Sequence, residues 1–330
     1  MNRRSIICVL FVIVLSCFVW SQVQQGSSAP PQGQKGFDTP QQAAEALIKA
    51  AENYDVPALL EMFGPDGKDL VESADPVQSK NNVEEFAGKA RQKRSVNVEK
   101  GTATILVGSD YWPVPVPLVK KQGKWYFDTK AGHDEILYRR IGANELDAIQ
   151  LCRGYVEAQK AYAQEAHGNP PVHQYAQKII STPGQKDGLF WRNEDGSPGG
   201  PISEAVARAL EEGYSDKSDK PKPYHGYYFK ILQGQGPNTP LGEINYNING
   251  VMIGGFALVA VPAEYRVTGV KSFIVNQDGV VYEKDLGPDS LKIAKEMTQF
   301  NPDKTWRPAK DKRLMAVNQG ILLLAASRRR

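Results

Sequence analysis

The sequence predicts an α+β protein of two domains, each with helices packed on an antiparallel sheet. In both halves of the chain, apolar residues first recur at helical spacing and then at the period of two that is typical of strands. The chain has 330 residues, which is enough for two domains. Hydrophobic residues make up 41% and charged residues 23%, values that exclude wholesale disorder and a polytopic membrane protein.

The first 21 residues have the pattern of a secretory signal peptide. Arg3 and Arg4 precede an apolar run over residues 6–15, and no further charged residue occurs before Lys35. The run is shorter than the roughly 20 residues that a membrane-spanning helix needs, so we expect an exported protein.

Two cleavage sites fit this leader. Cleavage after Ser21 would release a soluble periplasmic or secreted protein. The alternative is the segment Val-Leu-Ser before Cys17, which resembles a bacterial lipoprotein box and would leave Cys17 lipidated as the membrane anchor. Cleavage after Ser21 would leave Cys152 as the only cysteine, and in the lipoprotein form the other cysteine, Cys17, would carry the lipid. In both cases we expect no internal disulfide.

Residues 22–36 are polar and rich in Gly, Pro, Ser and Gln, which predicts a flexible tether. The domain that follows, residues 37–131, begins with helical patterns capped at Thr39, Asp55 and Asn82. Strand patterns follow at residues 102–107, 111–119 and 124–128, the middle one an edge strand because Pro113, Pro115 and Pro117 cannot donate hydrogen bonds.

The segment VPLVKKQGKWYFD, which ends at Asp128, resembles the last hairpin of the cone-shaped superfamily typified by nuclear transport factor 2. The resemblance covers about residues 37–130 and implies a fold rather than an activity. Enzymes of that superfamily place an Asp/His pair inside the cone, but the first histidine here is His133. Trp112, Trp125 and Tyr126 are candidates for a ligand or partner surface, with hairpin core as the alternative interpretation.

The second predicted domain spans residues 132–309. It opens with a long amphipathic helix at 144–165, then short helices at 176–180 and 203–213 around a turn-rich loop, 181–201. Strands are predicted at 227–232, 251–261, 270–275 and 280–284, followed by a closing helix at 288–297. Gly254 and Gly255 inside a strand indicate a bulge or a close backbone approach.

Three segments of this half strongly resemble exported bacterial proteins grouped as domain-of-unknown-function family 2950. They are NELDAIQLCRGYVEAQKAYA (144–163), YHGYYFKIL (224–232) and GGFALVAVPAEYRVTGVKSFIVNQDGVVYEKDLG (254–287). The resemblance extends over about residues 37–308 and implies no activity.

The same helix and strands are similar to the soluble heads of type IV pilin-like and pseudopilin-like proteins. Pilins carry a different leader followed by a membrane helix, which this chain lacks. Some relatives hold calcium in an acidic loop after the helix, and residues 165–170 have lost that loop. The resemblance therefore implies the head fold, without fibre assembly and without calcium.

No catalytic, cofactor or metal-binding constellation is predicted. A serine hydrolase elbow needs Gly-x-Ser-x-Gly, which GSPG at 196–199 does not provide, and His167 and His173 do not have zinc-ligand spacing. Cys152 within an amphipathic helix is expected to be a buried small hydrophobe. His225, Tyr227 and Tyr265 are added to the candidate ligand or partner surface.

The net charge of +3 comes from the two ends of the chain. Arg3 and Arg4 contribute +2, and residues 310–330, a basic and apolar tail, contribute +5, so residues 5–309 carry −4. This distribution argues against nucleic acid as a partner.

The sequence therefore predicts an exported cell-envelope protein, more consistent with binding or scaffolding than with catalysis. The expected partner is a small ligand or an envelope protein, no cofactor is expected, and membrane contact would come only through a lipid anchor. The alternatives are an envelope hydrolase or small-molecule enzyme, or a subunit of a pilin-like surface assembly. A cavity holding His225 or His133 beside two carboxylates would favour the enzyme, and a cavity lined by aromatic and aliphatic side chains would favour binding.

Overall fold

A computed structural model describes residues 33–71, 76–204, 206–207 and 223–310. The predicted signal peptide, Cys17, most of the tether and the tail after Lys310 lie outside the described residues. The α+β class is confirmed, with helices and predominantly antiparallel sheets in the chain. The chain divides between His133 and Asp134 into two compact units, each described separately below. None of the helices in the described ranges is both long and apolar enough to cross a membrane.

The first unit opens with helices whose N-caps are those predicted. Thr39 Oγ1 accepts from the Gln42 amide at 3.1 Å, and Asp55 Oδ1 accepts from the Ala58 amide at 3.1 Å. The third predicted helix begins earlier than Asn82, at Pro76, a residue suited to the first helical turn. The helices of this unit are α1 (Pro40–Glu52), α2 (Val56–Phe63), α3 (Lys68–Val71) and α4 (Pro76–Gln92).

The sheet of the first unit is antiparallel, in the order β1-β2-β4-β5, with β3 also paired to β2. The prediction of one strand at 111–119 is wrong, because this segment forms two strands, β3 and β4. Its prolines have no amide hydrogen to donate and interrupt the ladder. In the residues between β3 and β4, only the Val114 amide donates a backbone hydrogen bond, to Ile105 O at 2.8 Å. The strands are β1 (Arg94–Glu99), β2 (Thr102–Val107), β3 (Trp112–Pro113), β4 (Leu118–Lys121) and β5 (Lys124–Phe127).

The strand β1 has no sequence signal, because its side chains are largely exposed and mostly polar. It forms through a two-residue hairpin turn at Lys100 and Gly101, whose φ values of +46° and +84° match the twist of the paired strands.

The last residues of the predicted tether are fastened to the first unit. Gln34 Nε2 donates to Phe63 O and Phe127 O, both at 2.9 Å, and the Lys35 amide donates to Glu61 O at 2.9 Å. These partners are backbone carbonyls distant along the chain, so the composition of the tether does not predict the hydrogen bonds.

The helix α5 (Thr129–Tyr162) begins well before the predicted start at Asn144. Asp128 caps it, with Oδ1 accepting from the Ala131 amide at 3.1 Å. Its apolar stripe in the second unit packs against the strands that follow and is part of a continuous core. The fully buried side chains of that core include Tyr155, Tyr227, Tyr246, Phe256 and Phe273.

The main sheet of the second unit is antiparallel, in the order β11-β16-β17-β18-β20, and four of its strands match the predicted pattern. The predicted strand 251–261 is broken at Gly254 and Gly255, which separate β15 from β16. These strands are β11 (Tyr227–Leu232), β16 (Ala257–Pro262), β17 (Lys271–Asn276), β18 (Tyr282–Asp285) and β20 (Arg307–Pro308), with β15 at Val251–Met252.

The predicted helix at 176–180 is wrong. The amide and the carbonyl of Ala176 both pair with the side chain of Gln159, at 2.8 Å each. The chain instead forms β8 (Lys178–Ile180), which pairs in parallel with β9 (Gly188–Arg192) inside the predicted loop.

Shorter elements complete the second unit. The predicted helix at 203–213 is helical at Glu204 and at residues 206–207, and its remainder lies outside the described residues. The predicted closing helix is confirmed as α6 (Ser290–Glu296). The remaining strands are β6 (Ala166–His167), β7 (Val172–His173), β10 (Pro198–Gly199), β12 (Gly234–Gln235), β13 (Ile244–Asn245), β14 (Asn247–Ile248) and β19 (Gln299–Phe300).

Candidate functional site

A cavity of about 440 Å³ in the second unit, which we call the His225 cavity, follows one face of α5. The helix contributes residues at the three- and four-residue spacing that places side chains on one face. The rest of the lining comes from residues 201–203 and 206 and from the turn that leads into β11. The lining residues are Asp147, Gln150, Leu151, Gly154, Tyr155, Pro201, Ile202, Ser203, Val206, Tyr224 and His225.

His225 occupies a tight two-residue hairpin turn with an unfavourable backbone conformation. Tyr224 and Tyr227 exchange backbone hydrogen bonds at 2.9 and 3.0 Å, and the φ values of His225 and Gly226 are +45° and +74°. Such turns favour Asn-Gly, because an ordinary side chain is strained in the left-handed region. Lys100 has the same conformation, with φ of +46°, in the turn between β1 and β2, so this backbone conformation belongs to the type of turn and not to the cavity.

The imidazole of His225 is held by two contacts. Its Nδ1 lies 2.7 Å from Oδ2 of Asp147, and its ring stacks on Tyr224 with centroids 4.1 Å apart and planes 18° from parallel. The Asp147 carboxylate is an acceptor, so the proton of a neutral His225 is on Nδ1 and Nε2 carries a lone pair. Among the described residues, no hydrogen bond to Nε2 is found.

The remainder of the cavity is mainly apolar. Leu151, Ile202 and Val206 are half-buried and pack against the core of the unit. Tyr155 is fully buried, and burial raises the pKa of its phenol well above the ordinary value, so it stays neutral. Gly154 leaves the helix face open at this point, because a Cβ added to it would meet no atom of the described residues within 4 Å.

Ser203 brings a hydroxyl to the same cavity. Its Oγ accepts from the Val206 amide at 3.4 Å, a long hydrogen bond at the start of a helical segment. The lining thus includes one carboxylate, one imidazole, the amide side chain of Gln150 and the hydroxyl-bearing side chains of Ser203, Tyr155 and Tyr224, beside apolar ones. Among the described residues, it does not include the two carboxylates that would favour an acid/base hydrolase.

Only one of the six candidate surface residues, His225, lines this cavity. Tyr227 is fully buried and donates to Lys271 O at 2.7 Å, while Tyr265 is half-buried and donates to Asp285 Oδ2 at 3.1 Å.

The three candidates in the first unit belong to its sheet. Trp125 and Tyr126 are buried on β5, and Trp112 is half-buried beneath the Lys89 ammonium, 5.5 Å from the ring centre. Trp112 and Trp125 pack with the hydrophobic cluster of that unit. This packing supports the interpretation of these aromatic residues as hairpin core over that of a ligand or partner surface.

Sequence reasoning missed Asp147, Gly154 and Ser203. A glycine inside a helix lowers helix stability by about 1 kcal/mol relative to alanine. The presence of Gly154 in the predicted helix was therefore the one sequence signal that could have indicated a site on this face. Asp147 had no signal, because it lies 78 residues from the imidazole that it holds.

The other histidines and Cys152 have structural partners. His133 Nε2 lies 2.9 Å from Asp66 O, His167 Nε2 lies 2.9 Å from Tyr162 O, and His173 Nδ1 lies 2.9 Å from Ala163 O. Cys152 is fully buried, as predicted, and burial raises the pKa of its thiol to about 12, so it is not a nucleophile at neutral pH. Within the described ranges, no group of three or more His, Cys, Asp and Glu side chains could hold a metal ion.

Comparison with known proteins identifies one family. No curated protein and no solved structure matches the chain. The model of the family described as "Protein of unknown function (DUF2950)" matches residues 34–309. The match begins at Gln34, the residue whose side chain is hydrogen-bonded to the first unit. The chain therefore belongs to the DUF2950 family, as its helix and strand segments predicted.

Proposed function

We propose that this chain is an exported cell-envelope protein that binds a small molecule in the His225 cavity. The ligand has an apolar body and one hydrogen-bond donor, such as a hydroxyl or an N–H group. The observation that carries the proposal is the His225 imidazole, whose Nδ1 lies 2.7 Å from Asp147 Oδ2 and whose Nε2 has no hydrogen bond to any described residue, in a cavity with mainly apolar walls.

The size and lining of the cavity support binding of a small molecule. Its volume of about 440 Å³ lies within the range of ligand sites, roughly 300–1,000 Å³. Such sites combine apolar walls with a few polar groups that fix orientation, and Leu151, Ile202 and His225 supply both kinds of contact. The contacts with Asp147 and Tyr224 restrict rotation of the imidazole, so the hydrogen bond to the ligand is formed with a smaller loss of side-chain entropy.

One observation favours a second function, hydrolysis of an ester. Asp147 and His225 form the pair of orienting carboxylate and base found in serine hydrolases, and Ser203 lines the same cavity. In that case His225 Nε2 would take the Ser203 proton as Oγ attacks the carbonyl carbon, and would pass it to the alcohol oxygen as the ester C–O bond breaks. Water, deprotonated by the same imidazole, would then attack the acyl-Ser203 and release the acid. Turnover of p-nitrophenyl acetate that is lost in Ser203→Ala, together with covalent labelling of Ser203 by phenylmethylsulfonyl fluoride, would establish it. Absence of both leaves binding as the function of the cavity.

Filling the cavity from α5 is expected to abolish binding without unfolding the protein. Gly154→Leu places a side chain into the open space above the helix, and we expect at least a ~10-fold loss of affinity for N-phenyl-1-naphthylamine. This probe has an aromatic body and one N–H donor, and its fluorescence rises in apolar surroundings. Titration of the full mature chain with the probe measures the change.

Gly142→Leu is the matched control for this experiment. Gly142 lies on the same helix, a Cβ there also meets no atom within 4 Å, and the residue does not line the cavity. Equal losses of affinity in the two variants would show that the probe binds elsewhere and would overturn the proposed site.

Replacing His225 separates its chemistry from its structural role. His225→Asn introduces the residue that the turn prefers, which offsets the loss of the hydrogen bond between the partly exposed side chains of His225 and Asp147, so the free energy of unfolding is expected to change by less than about 1 kcal/mol. Probe affinity is expected to fall about 3- to 10-fold through loss of the Nε2 acceptor. Urea denaturation followed by circular dichroism and the same fluorescence titration test the two parts. Unchanged affinity would remove His225 from the site.

Export is tested by expressing the gene with its native leader, fractionating the cells and measuring the intact mass. A free periplasmic or secreted product that begins at Gln22 supports the soluble form. A product that begins at Cys17 with acyl chains supports the lipoprotein form, and full-length cytoplasmic protein would contradict export.

The two distant fold resemblances remain proposals. A long helix followed by the antiparallel order β11-β16-β17-β18 agrees with a pilin-like head, and helices followed by an antiparallel sheet agree with the nuclear transport factor 2 cone. Crystal structures of the separate units, superposed on those folds, would decide each.

A further inference from the structure

A second cavity in the same unit has a different chemistry from the His225 cavity, and we propose that it binds an oligosaccharide. Its volume is about 690 Å³, and the two cavities share no lining residue. Its walls come from the end of α5, the segments 166–169, 174–178 and 185–187, and the turn at Gly250. We call it the amide cavity, after the side chains described next.

Side-chain amides dominate the polar lining. Asn169 and Gln185 present amides for which no hydrogen bond is found among the described residues, and each amide offers two donors and an acceptor oxygen. Gln174 Nε2 donates to His167 O at 2.9 Å, which leaves its carbonyl oxygen as an acceptor. Groups that both donate and accept are those that pair with sugar hydroxyls.

The walls of the amide cavity are held in place by hydrogen bonds. Gln177 donates to Gly250 O at 2.8 Å and accepts from Asn247 at 2.6 Å, and the Tyr162 hydroxyl donates to Lys186 O at 2.6 Å. The cavity therefore exists before a ligand binds, which reduces the loss of entropy on binding.

An aromatic ring completes this lining. Tyr175 is half-buried, and its ring meets Phe256 edge to face, with centroids 4.8 Å apart and planes at 66°. A ring fixed in this way can lie against the apolar C–H face of a pyranose, while amides bind the hydroxyls at the rim of the sugar.

The charges argue against a phosphate or nucleotide ligand. Lys178 Nζ lies 2.7 Å from Asp187 Oδ2, so these two charges compensate each other, and Thr182 donates to the same carboxylate. Lys186 Nζ lies 5.4 Å from the centre of the Trp191 ring. A phosphate site needs several converging cations or backbone amides, whereas this cavity has a largely compensated charge and many neutral polar groups.

Isothermal titration calorimetry of the mature chain with chitotetraose, cellotetraose and maltotetraose tests the inference. We expect at least one tetrasaccharide to bind, and Asn169→Ala combined with Gln185→Ala to weaken binding by at least ~10-fold. Both residues are exposed, so thermal unfolding of the double variant should match that of the parent chain.

The Gly154→Leu variant separates this inference from the proposed function. It fills the His225 cavity and should leave tetrasaccharide binding unchanged, whereas the double amide variant should leave binding of N-phenyl-1-naphthylamine unchanged. Inorganic phosphate, titrated in the same way, should not bind. No heat from any tetrasaccharide up to about 10 mM, undiminished binding in the double variant, or binding of phosphate at the amide cavity would overturn the inference.

Discussion

Gln159→Leu is expected to lower the free energy of unfolding by about 3–5 kcal/mol, the largest effect that we predict for a single polar side chain here. Gln159 is fully buried on α5. Its Nε2 donates to Tyr155 Oη at 2.9 Å and to Ala176 O at 2.8 Å, and its Oε1 accepts from the Ala176 amide at 2.8 Å. Leucine fits the volume but leaves the buried amide and carbonyl of Ala176 unpaired, at about 1–3 kcal/mol each.

Urea denaturation followed by circular dichroism measures this loss. Gln164→Leu is the matched control, because Gln164 is exposed and makes only a 3.4 Å hydrogen bond, so its change should stay within about 0.5 kcal/mol. A loss below about 1 kcal/mol in Gln159→Leu would mean that water or another side chain pairs with Ala176. Because Ala176 lies between Tyr175 and Gln177, the same variant should also weaken tetrasaccharide binding at the amide cavity.

Gly254→Ala is expected to lower the free energy of unfolding by about 2–3 kcal/mol through a steric conflict with backbone. A Cβ at this position would lie 2.6 Å from Asn245 O and 3.1 Å from the Tyr246 Cα. The approach is fixed by hydrogen bonds, since the amides of Ile253 and Gly254 both donate to Tyr246 O, at 3.1 and 3.0 Å. Neither strand end can move without breaking them.

Gly154→Ala is the same chemical change as Gly254→Ala, but we expect it to raise the free energy of unfolding. A Cβ at Gly154 meets nothing within 4 Å, and alanine is favoured over glycine inside a helix, so stability should rise by about 0.5–1 kcal/mol. Chemical denaturation of both variants measures the pair. Similar values for the two would show that the backbone around Gly254 relaxes to accept a side chain.

Local sequence signals gave much of the secondary structure because their causes are local. Thr39 and Asp55 cap helices with their own side chains, and Gly64 ends α2 with φ of +75°. The predicted close approach at Gly254 is confirmed for the same reason, since glycine in a strand marks a place with no room for a side chain. Prediction failed at β8, because its conformation depends on pairing with β9, in which Lys178 lies opposite Gly188 and Ile180 opposite Phe190.

The candidate site was less predictable than the fold. Aromatic residues are found both in hydrophobic cores and in binding surfaces, so their presence in the sequence does not distinguish the two. In the structure, Trp125 and Tyr227 are buried in the core. Asp147 and His225 are ordinary residues separately, and they become a site only because α5 and the turn before β11 meet in the folded chain.

The α+β class, the caps of α1 and α2 and the membership of the DUF2950 family could be predicted from the amino-acid sequence, because each depends on short-range patterns or on the identity of residues along the chain. Which polar groups meet depends on the folded chain. It fastened Gln34 to the first unit, paired Asp147 with His225 and left cavities of different chemistry in the second unit. The physical reason is that hydrogen bonds and cavities form between residues brought together by burial of the core, whatever their separation in sequence.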